Sequence, residues 1–135
     1  MIAVDSSILV GLIRGEEDLA PLIDVPFREE AALAAPALVV AKAWCARNLK
    51  TGVPAWLNAV VQSPMVVVAS FTAPMADAAA EAFRVMGKGS GHAAALDFGD
   101  ALVYGHASVM GLPRLFKGSD FKHTDLSIDP RSVIL

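Results

Sequence analysis

A single cysteine, Cys45, among 135 residues leaves no partner for an intrachain disulfide, so packing alone must hold the chain together. Cys45 falls in a helical pattern and reads as a small buried hydrophobe, which suits a reducing cytoplasm. Positive charge is scarce as well: 11 Lys and Arg against 14 Asp and Glu give a net charge of −3. That excludes a global basic field for nucleic acid, and any such contact must come from a local patch. The longest apolar stretch, residues 31–41, is interrupted by Pro36 and is too short to cross a bilayer. No basic leader precedes the apolar residues Met1 to Val4, which speaks against a secretory signal. The 3 histidines, His92, His106 and His123, lack zinc-like spacing and read as loop, helix-surface or supporting residues rather than ligands. Aromatic residues make up only 7% of the chain while hydrophobic residues reach 55%, with much Ala and Val, the balance of a helix-covered sheet. One soluble intracellular domain over residues 1–135 is expected, long enough to bury about two-thirds of its unfolded surface.

Met1 to Val4 reads as a short buried strand, and Ser6 or Ser7 can cap a helix running to about Arg14, ended by Gly15. Glu16, Glu17 and Asp18 suit the first turn of a second helical segment whose course past Pro21 and Pro26 the pattern does not define. Pro36 to Leu38 looks like a brief strand, followed by a helix over Val39 to Lys50 and another from Pro54 to Gln62. Met65 to Ala69 is the clearest strand, a β-branched run of the doubly buried kind. Thr72 caps an Ala-rich helix from Ala73 to Met86, and residues 87–92 form a flexible basic loop. A helix from about Asp97 to Met110 precedes a strand over Arg114 to Phe116 and a last one over Leu126 to Ile128. Alternating strands and helices without hairpin signals predict a three-layer α/β/α domain around a parallel sheet.

The chemistry lies in acids at element ends. Asp5 ends the first strand where a helix begins, the place at which open α/β sheets put catalytic groups, although a simple helix-capping role is equally open to it. Asp97 and Asp100, three apart, share a face at the start of the late helix; Asp97 suits an N-cap, whereas Asp100 lies in an apolar helix and needs a partner such as a metal. Asp120 follows another short apolar stretch. Clustered carboxylates without cysteine or converging histidines favour a hard cation, Mg²⁺ or Mn²⁺, which can activate water and stabilise a phosphoryl transition state.

Met1-Ile2-Ala3-Val4-Asp5-Ser6-Ser7, Phe98-Gly99-Asp100-Ala101 and Leu115-Phe116-Lys117-Gly118-Ser119-Asp120-Phe121 resemble the PIN domain, in particular VapC toxins of bacterial toxin–antitoxin modules. Gly87-Lys88-Gly89 and His123-Thr124-Asp125 extend the resemblance over essentially the whole chain. It implies a parallel sheet of about five strands, a Mg²⁺-dependent endoribonuclease with Mn²⁺ as substitute, homodimerisation, and inhibition by a VapB-like antitoxin in a higher assembly. Carried over by position, Asp5, Asp100 and Asp120 are the metal-site acids, Ser6 or Ser7 a supporting hydroxyl, and Thr124 and Asp125 outer supporting residues.

The family's second acid should fall within residues 39–44, where Lys42 stands instead, and no Asp or Glu occurs anywhere over residues 31–62. An ammonium ~4 Å from a carboxylate contributes about 4 kcal/mol at an effective dielectric near 20, so Lys42 could stand in for the cation and impair the enzyme. Alternatively it snorkels to solvent and leaves a weakened three-acid site. A non-catalytic module that binds RNA and antitoxin is the rival reading. An aspartyl phosphatase is disfavoured, because the position of its general acid, two residues after Asp5, holds Ser7. Arg84, Lys88, Lys117 and Lys122 are candidates for RNA phosphate contacts. An apolar groove around Leu12, Leu22, Ile23, Leu49 and Trp56 is the expected antitoxin dock.

Overall fold

The computed structural model describes residues 1–119 and 121–135; Asp120, one of the expected site acids, lies outside the described residues. Strand β1 (Ile2–Val4) is wholly buried and hands over at Asp5 to helix α1 (Ser6–Ile13). The cap of α1 is Asp5 rather than a serine: its carboxylate accepts the Ser7 amide at 3.0 Å. The segment rich in prolines resolves into a 3-10 stretch, Glu17–Leu22, which carries Pro21 in its interior, and a short helix α2 (Val25–Arg28), whose Pro26 sits in the first turn where no amide hydrogen is needed.

Strand β2 is Ala31–Ala34, so the brief strand expected at Pro36 lies a few residues earlier. Pro36 instead occupies the first turn of α3 (Ala35–Asn48), a position that tolerates it, and the helix therefore starts before Val39. Helix α4 (Ala55–Gln62) follows, then β3 (Val66–Ala69), α5 (Ala73–Met86) and α6 (Phe98–Met110). The last described strands are β4 (Arg114–Leu115), β5 (Lys117–Gly118) and β6 (Val133–Ile134).

The main sheet is parallel and 4-stranded, in the order β3-β2-β1-β4, with β5 and β6 forming a separate parallel pair. The expected strand over 126–128 is reduced to one bridge, Ile128 with Arg114. Its place at the chain's end is taken by β6, which follows a clamp in which Arg131 spans Glu29 (2.6 Å) and Asp129 (3.0 Å). The apolar run of β3 is also not doubly buried. It is the sheet edge, and Val67 and Val68 are exposed.

Among the described residues two apolar cores flank the sheet, which makes the domain three-layered. One gathers Ile8, Leu9, Leu12, Leu19, Leu22, Val25, Leu57 and Val60 from the early helices and α4. The other gathers Ala82, Leu96, Val103, Tyr104, Phe116 and Phe121 around α5 and α6. Those two helices meet closely at Gly105, where an added Cβ would stand 2.5 Å from the Met75 carbonyl oxygen. The glycine-rich loop is tied at its base by Lys88 N to Leu96 O and Leu96 N to Met86 O, both 2.8 Å. Beyond that tie Gly89 and Gly91 adopt φ of 87° and 85°, the left-handed backbone that favours glycine.

Candidate active site

Parallel register carries β1 and α6 to the same edge of the sheet. A cavity of about 150 Å³ there is lined by Asp5, Ser6, Val40, Asp97, Gly99, Asp100 and Val103. Asp97 caps α6 by accepting the Asp100 amide at 2.7 Å, and the Asp100 carboxylate returns the bond by accepting the Asp97 amide at 3.1 Å. Reciprocal capping fixes both acids at the positive end of the helix, where the dipole favours carboxylates. Asp97 is thus both a cap and a wall of the cavity.

Asp5 is held from two sides. One carboxylate oxygen takes the Ser7 amide, and the other accepts a bond from Arg114 Nη2 at 2.6 Å. Arg114 sits on β4 directly beside β1, in register with Ala3, and is 0% exposed. Its guanidinium lies 5.2 Å from the centroid of the Phe121 ring. Burial pushes its pKa down, opposed by the charges of Asp5 and Asp100. His106, on the inner side of α6, is also fully buried rather than at the helix surface. Burial, and then the charge of Arg114, hold its pKa below the ordinary imidazole value, so the ring is neutral at pH 7.

The other expected site residues divide. Ser6 lines the cavity, but the Ser7 hydroxyl turns to β5 and accepts the Lys117 amide at 3.0 Å. Lys42 does not line the cavity; it is exposed on α3, and among the described residues it forms no ion pair. Val40 faces the acids instead, because a two-residue step turns a side chain about 200° around the helix. Thr124 bonds to Phe121 O at 2.7 Å within its own turn. Asp125 accepts from the Tyr104 hydroxyl, whose pKa is pushed up to about 12 by burial and by that carboxylate, and it lines a different cavity, with Ser108 and Ser127.

Among the candidate RNA contacts, Lys117 is held by Glu16 (2.5 Å) and Asp18 (2.8 Å), and Arg84 by Glu81 (2.6 Å). Lys122 bonds to Leu135 O at 3.0 Å. Lys88 is exposed on the glycine loop. The expected antitoxin groove is closed: Leu12 and Leu22 belong to the core, and Trp56 folds over them with its indole donating to Ile23 O at 3.2 Å. Ile23 alone of the five positions is exposed.

The PIN domain family model matches residues 2–126. The chain belongs to the PIN-domain family. This PIN domain is 34% identical to Ribonuclease VapC42 of Mycobacterium tuberculosis over 124 residues, covering 91% of this chain and 95% of the relative. Its fold matches the crystal structure of M. tuberculosis VapC20, a sarcin-ricin loop cleaving toxin, at TM-score 0.63 and 20% identity, over 83% of this chain and 85% of that one. It also matches a toxin-antitoxin complex from Klebsiella pneumoniae at TM-score 0.64 and 10% identity, over 100% of this chain and 96% of that one. It is therefore a VapC-type PIN domain with the three-layer parallel architecture of that family.

Arg114 and Val40 were not singled out from the sequence, and His106 was read there only as one of three non-ligand histidines. Arg114 carried a usable signal, as a charged residue in a short strand between apolar neighbours, where burial demands an opposite charge. No comparable signal marks Val40, since its orientation depends on where α3 begins.

Proposed function

We propose that this chain is the toxin of a toxin–antitoxin pair, an endoribonuclease that depends on Mg²⁺ or Mn²⁺. The carrying observation is that Asp5 and Asp100, remote in sequence, wall one cavity at the carboxyl edge of a parallel sheet in a relative of VapC ribonucleases. Hard oxygen donors without sulfur or imidazole fit a hard divalent cation. Asp5 and Asp100 would hold it, with Asp120 as the third acid that the family resemblance assigns. Such an ion supplies Lewis-acid activation of water and charge stabilisation for a phosphodiester.

The protein's own contributions follow from its contacts. Arg114 and the Ser7 amide orient Asp5, the capping box orients Asp100, and Lys88 offers a charge for RNA phosphate. Val40 places an apolar wall where a fourth acid would raise ion affinity, so this chain is a weaker nuclease than a four-acid site would make. That same wall favours, as the second reading, a module that binds RNA and antitoxin without cutting.

A second copy covers the apolar face of α5 and α6. There Phe71, Phe83, Phe98 and Leu102 border a cavity of about 360 Å³, and Phe98 is 67% exposed. The antitoxin docks away from the closed early-helix groove. The deciding experiment incubates the purified protein with total RNA in Mg²⁺, Mn²⁺ or EDTA, with Asp5→Asn and Asp100→Asn as controls. Metal-dependent cuts that both variants lose support the nuclease; RNA binding without cuts selects the second reading.

A further inference from the structure

A fully buried guanidinium beneath a metal-binding carboxylate is an unusual expense for a fold, and nothing in phosphodiester hydrolysis requires it. The Arg114 main chain is pinned on both sides: its amide donates to Ser127 O at 2.8 Å, and its carbonyl accepts from Asp129 N at 2.8 Å and from the Ser132 hydroxyl at 3.1 Å. Its side chain is confined by Phe121 and reaches Asp5 at 2.6 Å. Nε and Nη1 find no partner among the described residues, and the two nitrogens of His106 are likewise unsatisfied. Arginine keeps its charge at any working pH, and without water around it that charge is felt strongly by the carboxylates.

We propose that Arg114 is an internal counter-cation, which sets the Asp5 carboxylate in place and balances the acid cavity when no metal is bound. The proposal rests on the reading of Asp5 and Asp100 as ion-holding groups. Two consequences separate it from an ordinary acid cluster. The metal-free fold is stable because one cation is built in, and a divalent ion gains less on entering because part of the negative charge is already met. Neutral His106, packed nearby, adds no further positive charge.

The sign of one substitution tests this. Where carboxylates crowd together without a cation, amidating one relieves repulsion and stabilises the metal-free protein. Here Asp5→Asn would strip a buried guanidinium of its partner. In EDTA, thermal denaturation of the full chain should show Asp5→Asn melting roughly 10 °C below the parent. Arg114→Met should also melt lower in EDTA but regain stability with Mn²⁺, and bind Mn²⁺ about tenfold more tightly by calorimetry. The double variant Asp5→Asn, Arg114→Met should recover much of the loss of either single one. An Asp5→Asn protein as stable as the parent in EDTA overturns the proposal, and so does an Arg114→Met protein with unchanged Mn²⁺ affinity. The Asp5→Asn comparison stands even where Arg114→Met does not fold. Neither readout passes through RNA cleavage, so a chain that cuts no RNA defeats the nuclease reading and leaves this one standing.

Discussion

Gly105→Ala is a test of how tightly α6, which carries Asp97 and Asp100, is held. The new methyl group would lie 2.5 Å from the Met75 carbonyl oxygen, 2.9 Å from Ala79 Cβ and 3.0 Å from the Ala79 amide nitrogen. Ordinary contact begins near ~3.5 Å, so α5 and α6 must part by about 1 Å, and two of the three obstacles are main-chain atoms that cannot rotate away. Overpacking of this kind costs about 1–3 kcal/mol, while exchanging glycine for alanine inside a helix returns about 1 kcal/mol. A 2.5 Å approach to a main-chain oxygen calls for the upper part of that range, about 2–3 kcal/mol, so the net expectation is a loss of about 1–2 kcal/mol, or a melting temperature about 5 °C lower in a chain of this size. Gly99→Ala in the same helix is the control, because its methyl group meets only Asp97 Oδ1, at 3.4 Å. Circular dichroism melts of the parent and both variants give the comparison. A Gly105→Ala protein as stable as the parent would show that the two helices part without cost, and the account of their packing would fail.

Val40→Glu should add a carboxylate to the cavity and tighten Mn²⁺ binding about tenfold, near 1.4 kcal/mol by calorimetry, whereas Lys42→Glu should leave it close to the parent value. His106 should make the parent acid-sensitive. Its folded pKa lies below that of the unfolded imidazole, near ~6.5, so the unfolded chain binds the extra proton and stability falls as pH drops through that value. Urea midpoints between about pH 7 and pH 5 should decline for the parent and less steeply for His106→Leu. Lys88→Ala should weaken RNA binding uniformly across sequences and reduce the salt slope by about one, while Lys117→Ala, which removes the partner of Glu16 and Asp18, should leave that slope unchanged.

Local chemistry that depends on nearest neighbours was readable from the chain. Asp5 after a buried strand, Asp97 and Asp100 at a helix start, and the three-layer alternation all appear in the structure where patterning put them. Features set by rotation or by strand order were not. Lys42 and Val40 differ by two helical steps, and a start of α3 at Ala35 in place of Val39 decides which one meets the acids. The valines of β3 look the same in sequence whether the strand is central or at the edge, and only the order β3-β2-β1-β4 exposes Val67 and Val68. The groove at Leu12 and Leu22 failed for a related reason: apolar excess does not distinguish a docking surface from a core that the chain fills itself.

The tie at the base of the glycine loop makes the segment beyond it a closed ring whose size is free to change. Lys88 and Leu96 are joined across its neck and Ala94 is packed in the core, so Asp97 and Asp100 take their positions from these anchors and not from the exposed Ser90 and Gly91 at the tip. Lengthening a ring of this kind costs only about 0.6 kcal/mol for each doubling. A peptide inserted between Ser90 and Gly91 should therefore leave the acids where they are, and the loop can be rebuilt to meet a different RNA shape without the fold being redesigned.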